Sequence, residues 1–447
     1  MFKRILIANR GEIALRIMRA CRELGIESVC VYSTADKDAP YLKLADRAIC
    51  IGPGPAKESY LNIARLIAAA EIADVDAIHP GYGFLSERPD FSAACRDCKI
   101  EFIGPSPEAM QMLGDKVDCK KTAKAAGVPV FPGSEDAIEE EEEAVRVAAK
   151  IGYPVIIKAS AGGGGRGMKV CHNEGTLRSQ LRVASQEALA AFGNGAVFIE
   201  KYLEHARHVE IQMLGDKHGN AIYLWERDCS LQRRHQKVIE EAPAPNIDRK
   251  RLEKVCQAAA RMIRSANYAG AATCEFLMDG SGDFYMLEVN TRVQVEHPVT
   301  EMITGIDIVK MSILIAAGEK IPYRQEDITI RGHAIECRIN AEDPVHNFRP
   351  SAGRIDTWHV PGGPGVRLDS HVIPGYVVPP NYDSMIGKLI VHADTREQAL
   401  DRAARALREF HVGPIKTTIP LHQRLIENTD FRRGGVDIHY LERLLKS

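Results

Sequence analysis

The chain opens with short apolar runs set between segments of helical period, the pattern of a parallel sheet covered by helices on both faces. Residues 4–8 read as a strand. Asn9, followed three positions on by Glu12, predicts a capping-box start to a helix. That helix carries Ile13, Ile17, Ala20, Cys21 and Leu24 at helical spacing and stops at Gly25. Residues 28–32 and 77–79 read as further strands, with a helix through Ile63, Leu66, Ile67 and Ala70 between them. The first turn lacks G-x-G-x-x-G, so the dinucleotide fingerprint is absent. These signals predict a first domain over 1–114.

A second unit is expected over 115–203. It holds a helix at 115–126 ended by Gly127-Val128-Pro129, a like-charged run at 139–143 on a solvated helix face, and a strand at 155–158. A glycine loop, a helix at 174–190 and a strand at 197–200 complete a small α+β unit. Residues 204–447, rich in short strands and hairpins, form the remainder, and no internal repeat is visible. A length of 447 residues agrees with about three domains.

Composition narrows the function. Lys and Arg number 58 against 60 Asp and Glu, a net charge of −2. A general polyanion binder needs excess base, so nucleic acid is not an expected partner. No run reaches the 18 or so apolar residues of a membrane span, and the short apolar start is too brief for a secretion signal. The eleven cysteines are scattered and odd in number, as expected of reduced thiols in a cytoplasmic protein. Cys95-x-x-Cys98 lacks a second pair for zinc and reads as incidental.

Three segments carry chemistry. The loop Ala161-Gly162-Gly163-Gly164-Gly165-Arg166-Gly167-Met168 follows an apolar strand that ends in Lys158. Glycines let backbone N–H groups turn onto phosphate oxygens, and a lysine adds a point charge. No Gly-Lys-Ser/Thr follows, so it is not a Walker A loop. Met168-Lys169 lacks the neighbours of a biotinylated lysine.

The second segment is residues 288–296. Read as one extended strand, it puts Glu288, Asn290, Arg292, Gln294 and Glu296 on one face. Alternation alone fits a half-solvated strand with a charge ladder equally well. The hairpin before it decides. Residues 271–278 and 284–290 flank the turn 279–283, and one bulged residue brings Glu275 opposite Glu288. Opposed carboxylates repel unless a hard cation joins them, and Asn290 adds an oxygen one pleat along. An EF-hand starting at Asp279 fails, because Phe284 stands where glycine is needed. The third segment, the basic stretch Arg227 to Lys237, suits small oxyanions or phosphates but equally a solvated charged strand or loop.

At these residues the chain resembles the biotin carboxylase subunits of bacterial acetyl-CoA carboxylases, in the ATP-grasp superfamily. The resemblance runs end to end, through IANRGEIA at 7–14, HPGYGFLSE at 79–87, the glycine loop, RRHQK at 233–237, residues 288–298, ECRINAEDP at 336–344 and YDSMIGK at 382–388. Ala161 stands where the family often has glycine. The implied fold is α/β and α+β: an ATP-grasp fold with an N-terminal Rossmann-like parallel-sheet domain, a mobile α+β lid and a C-terminal mixed-sheet domain.

The resemblance also implies roles. ATP would lie against Lys116, Lys158, Gly164, Gly165, Glu200, Lys201, Leu203, His208, Gln232 and His235. Glu275, Glu288 and Asn290 would hold Mg²⁺ or Mn²⁺. Lys237, Arg292, Gln294, Val295 and Glu296 would bind bicarbonate, with Glu296 as base. Tyr82 and Arg338 would meet biotin, and Arg292, Glu296, Arg338 and Lys237 would be catalytic. The expected reaction is carboxylation of biotin through carboxyphosphate, the first half-reaction of acetyl-CoA carboxylase in fatty acid synthesis. The chain has no biotin-attachment segment and no length for a carboxyltransferase. Biotin is therefore expected in trans, on a biotin carboxyl carrier protein, with separate carboxyltransferase subunits as partners. A homodimer is implied, with Arg19, Glu23 and Arg367 near its contact. The same half-reaction for a split pyruvate carboxylase or another acyl-CoA carboxylase stays open. An ATP-grasp acyl-phosphate/amine ligase or a non-enzymatic nucleotide-binding scaffold fits the Arg338 motif less well.

Overall fold

The computed structural model describes residues 1–446 except 135, 139, 160–167 and 193–194, and only the backbone of 191 and 192. Its first sheet has five parallel strands in the order Arg47–Gly52, Glu27–Ser33, Arg4–Ile7, Ala77–His79, Glu101–Phe102. Helices Gly11–Glu23, Ile63–Ala73 and Pro89–Asp97 lie along it. Alternate strand residues explain the two-sided burial. Leu6, Val29 and Ile78 join one core, while Ile5, Ile7 and Cys30 join another.

The predicted capping box at Asn9 does not form. Arg10 is the N-cap residue and makes no side-chain cap bond. Asn9 Nδ2 instead donates to the carbonyls of Pro80 and Tyr82, both at 2.7 Å, and Glu12 turns inward. Tertiary partners have outcompeted the local cap. Asp115, by contrast, caps helix Lys116–Ala126, which ends at Gly127 with φ 77°, a conformation glycine adopts without penalty.

Strands Lys169–Cys171, Val155–Ala159 and Val197–Lys201 form a small antiparallel sheet. Helices Glu141–Ile151 and Glu174–Phe192 cover it through Ala144, Ala148, Leu177 and Leu181.

The largest sheet has eight strands, ordered Phe284–Asn290, Gly270–Met278, Arg207–Gly215, Ala221–Arg233, Gln236–Ala242, His333–Asn340, Met385–Ala393, Val366–Asp369. The mixed directions expected for it are corrected: every ladder is antiparallel. Three of the pairs are hairpins, and a parallel pair would need a longer crossover. Sequence reading also passed over helix Arg249–Ser265, whose Leu252, Cys256, Ala259 and Ile263 seal one face of this sheet against Val209 and Ile211. No helix among the described residues is long and apolar enough to cross a membrane. All eleven cysteines are free, with Cys95 buried and Cys98 exposed.

Candidate active site

One cleft of about 1450 Å³ runs between the small sheet and the eight-stranded sheet. Every site residue expected from the sequence lines it, apart from Gly164 and Gly165, which lie outside the described residues.

The hairpin register is as read from the sequence. Glu275 faces Glu288 across the ladder, with a bulge between Glu275 and Phe276. Glu275 is buried, whereas Glu288 opens onto the cleft. Burial would raise the Glu275 carboxyl, but Lys237 and His208 beside it hold it well below the ordinary range. Lys237 Nζ lies 3.0 Å and His208 Nε2 3.1 Å from it. Enclosure, then the charges of Glu275 and Glu87, push the Glu288 carboxyl upward. This excess of acid on oxygen donors, unrelieved at Glu288, fits a divalent cation.

The single strand expected over 288–296 is a correction. The ladder ends at Asn290, and helix His297–Thr304 starts with Glu296 as its N-cap residue and Pro298 in its first turn. The polar side chains converge through hydrogen bonds rather than through the pleat. Asn290 Nδ2 and Gln294 Nε2 both donate to Glu275 Oε1, at 2.8 and 3.0 Å. Arg292 donates to Asn290 Oδ1 at 2.9 Å, to Gln294 Oε1 at 2.8 Å and to Glu87 at 2.8 Å.

Lys237 is the hub. It donates to Glu210 at 2.8 Å, to Glu275 at 3.0 Å and to Glu296 at 2.6 Å. Burial alone would lower its ammonium, yet three carboxylates raise it well above the ordinary value. Glu296 also accepts from Arg338 at 3.0 Å. Burial and Glu210 act to raise Glu296, but Lys237, Arg338 and Arg227 win and hold it below the usual range. A buried carboxylate that stays ionised has its lone pairs free to accept a proton from an anion bound beside it, although the two cations weaken it as a base.

At the other end of the cleft Lys158 and Lys120 reach Glu200 at 2.7 and 3.2 Å. Burial and then Lys158 lower the Lys116 ammonium, a strain that a polyanion between the two would relieve. The Lys201 ammonium is turned to the carbonyls of Gly152 and Tyr153, and Leu203 lines the cleft beside it. Gln232 lies 3.5 Å from the His208 ring, and His235 sits in the left-handed hairpin turn after it with φ 64°. The basic stretch is thus a hairpin with an exposed turn at Arg234-His235, while Arg227 in its strand is fully buried on Gln212 and Thr300. Tyr82 donates to Glu12 at the cleft edge, and Glu12 pairs with buried Lys388 at 3.1 Å.

Sequence reasoning missed Glu12, Glu87, Glu210 and Lys388, which orient the residues above. The available signal was a charge set between apolar strand neighbours, as Glu210 between Val209 and Ile211 and Lys388 within Met385–Ala393.

The fold and the site together define an enzyme of the ATP-grasp class. Three family models divide the chain: "Biotin carboxylase, N-terminal domain" over 1–110, "Carbamoyl-phosphate synthase L chain, ATP binding domain" over 115–324, and "Biotin carboxylase C-terminal domain" over 336–443. The biotin carboxylase of Allochromatium vinosum is 55% identical over 446 residues, covering 100% of this chain and 99% of the relative. The chain belongs to the biotin carboxylase family, as its motifs implied. A structure of Campylobacter jejuni biotin carboxylase in complex with βγ-ATP superposes with a TM-score of 0.95 at 51% identity, over 99% of both chains. The biotin carboxylase domain dimer of Hydrogenobacter thermophilus 2-oxoglutarate carboxylase, with MgADP, ADP and bicarbonate, gives 0.93 at 48% identity, over 99% and 98%.

Proposed function

We propose that this chain carboxylates biotin at the expense of ATP and bicarbonate, through carboxyphosphate, using the residues gathered in the one cleft. The observation that carries the reading is Glu296, a buried carboxylate held ionised between Lys237 and Arg338 at the end of an anion-ready pocket. Glu275 and Glu288, with Asn290, are the oxygen donors for Mg²⁺ or Mn²⁺, which would neutralise the phosphates of the nucleotide. Lys116 and Lys158 hold the phosphates together with Gly164 and Gly165. Glu200, Lys201, Leu203, His208, Gln232 and His235 take the nucleoside end.

Bicarbonate lies on Lys237, Arg292, Gln294 and the backbone N–H of Val295. Glu296 removes its proton, and the freed oxygen attacks the γ-phosphorus as ADP leaves. Positioning and charge neutralisation supply most of the rate. Carboxyphosphate gives CO₂ and phosphate; the phosphate takes the ureido proton of biotin, and the biotin nitrogen attacks CO₂. Arg338 stabilises the enolate oxygen, and Tyr82 shapes the biotin pocket. An enclosed cleft protects carboxyphosphate from water.

The biotin is carried by a separate carrier protein, the acceptor is acetyl-CoA through carboxyltransferase partners, and the chain acts as a homodimer. The dimeric Hydrogenobacter relative supports the last point. Eleven free thiols support a cytoplasmic setting. Units 1–114, 115–203 and 204–447 each contain one of the three main sheets, which supports that division. The test is transfer of labelled bicarbonate to free biotin by the purified chain. ATP-dependent label in biotin, lost in Glu296→Gln, is the expected result; label transfer unchanged in that variant contradicts the assignment of the base.

A further inference from the structure

Behind Arg338 lies a pair of carboxyls that the chemistry above does not use. Strands Gln236–Ala242 and His333–Asn340 are antiparallel neighbours, and their register sets Glu240 directly opposite Glu336. Both residues are 0% exposed. Opposed carboxylates without water to screen them cannot both stay charged at neutral pH.

Their surroundings differ. Glu240 Oε1 accepts from Arg338 Nε at 2.5 Å. Glu240 Oε2 and both oxygens of Glu336 have no hydrogen-bond partner among the described residues. The charged groups facing the pair are Arg338, Lys388, Lys237 and Glu296. Lys237 is committed to its three carboxylates, and Lys388 to Glu12 at 3.1 Å and the Val295 carbonyl at 2.8 Å. Arg338, itself shared with Glu296, is the one cation in direct contact with the pair, so at most one of the two carboxyls is ionised and the other keeps its proton. Burial raises both carboxyls, Glu240 to about 7, and Glu336, whose oxygens have no hydrogen-bond partner among the described residues while Arg338 holds Glu240, is the one to keep the proton.

We propose that Glu240 is the positioning residue for Arg338 and that Glu336 is its protonated, neutral neighbour, so that the pair carries a single negative charge. That charge grips the guanidinium from behind and keeps its remaining donors aimed into the cleft. Without it, Arg338 would fold onto Glu296, which it already touches at 3.0 Å, and would leave biotin. The inference rests on the reading of Arg338 given above.

The experiment is a double-mutant cycle on the intact chain, reading biotin-dependent turnover and the KM for ATP. Glu240→Gln is expected to lower biotin-dependent turnover at least tenfold, with the ATP KM within twofold of wild type. Glu240→Asp should recover part of the loss. Glu336→Gln, an amide in place of a protonated acid, should stay within threefold of wild type. In an Arg338→Gln background, Glu240→Gln should cost less than a further twofold. Full multiplication of the two effects, or wild-type turnover in Glu240→Gln, overturns the inference. So does a loss in Glu336→Gln as large as that in Glu240→Gln. Should Glu240→Gln melt early and lose ATP affinity, Glu240→Asp carries the cycle. Full turnover in Arg338→Gln alone would contradict the role of Arg338, and this inference with it; an inactive Arg338→Gln with independent Glu240→Gln contradicts the inference only.

Discussion

Two pairs of glutamates face each other across ladders of the same eight-stranded sheet, and they meet very different surroundings. Glu275 and Glu288 lie at the cleft. Asn290, Gln294, His208 and Lys237 crowd Glu275, and Glu288 opens onto the cleft. Glu240 and Glu336 are sealed from solvent, with one arginine on Glu240 and no hydrogen-bond partner for Glu336 among the described residues. The same register thus leads to two ways of balancing charge. Where donors and an open face are available, Glu275 stays ionised and Glu288, though pushed upward, faces a cleft that suits a divalent cation. Where they are not, a proton takes the cation's place.

The largest effect is expected at the open pair. Glu275→Gln or Glu288→Gln should lower ATP cleavage about 10²–10³-fold, as loss of a group that organises charge in phosphoryl transfer does. Glu336→Gln, at the same register in the sealed pair, should not. Steady-state ATP hydrolysis checks both. Next in size is Lys388→Met, which removes the partner of Glu12 and the prop under the Val295 carbonyl. Stranding a buried charge costs about 3–5 kcal/mol, and a denaturant titration should show the midpoint falling accordingly.

The smallest effect is a difference in pH dependence. Glu210, beside the open pair, is held at about 2 by Lys237 and Arg227 against burial. The unfolded chain binds its proton more tightly, so this contribution is present above about pH 4.5 and lost as pH falls toward 2. Glu240 has the opposite sign. Its folded value near 7 exceeds the unfolded one, so its contribution is present below about pH 4.5 and is lost as pH rises through 7. Glu336 adds to the same alkaline loss. Melting curves of wild type between pH 5 and 8 should therefore fall more steeply than those of Glu336→Gln, by about 2 °C. Parallel curves would show that Glu336 keeps no proton.

What was legible in the sequence follows the same division. Glu275 against Glu288 could be read because a five-residue turn and a pleat of period two are local. The direction of the chain past Asn290 could not, since Pro298 and Glu296 set a helix start that alternation does not reveal. Asn9 looked like a cap, but the carbonyls of Pro80 and Tyr82, some seventy residues away, claimed its amide. Glu240 and Glu336 were invisible for a like reason. Their strands are nearly a hundred residues apart, and no local rule sets the register between them. The roles of the cleft residues came from motif resemblance, whereas the partners of Lys388 and Glu210 needed the packed sheet to appear.

In this reading the cleft couples ATP cleavage to bicarbonate and biotin. Its most direct test is ATP hydrolysis by the purified chain with Mg²⁺, with bicarbonate and free biotin each present or omitted. Turnover that requires bicarbonate and rises with biotin is the predicted result. Turnover indifferent to both would contradict the account.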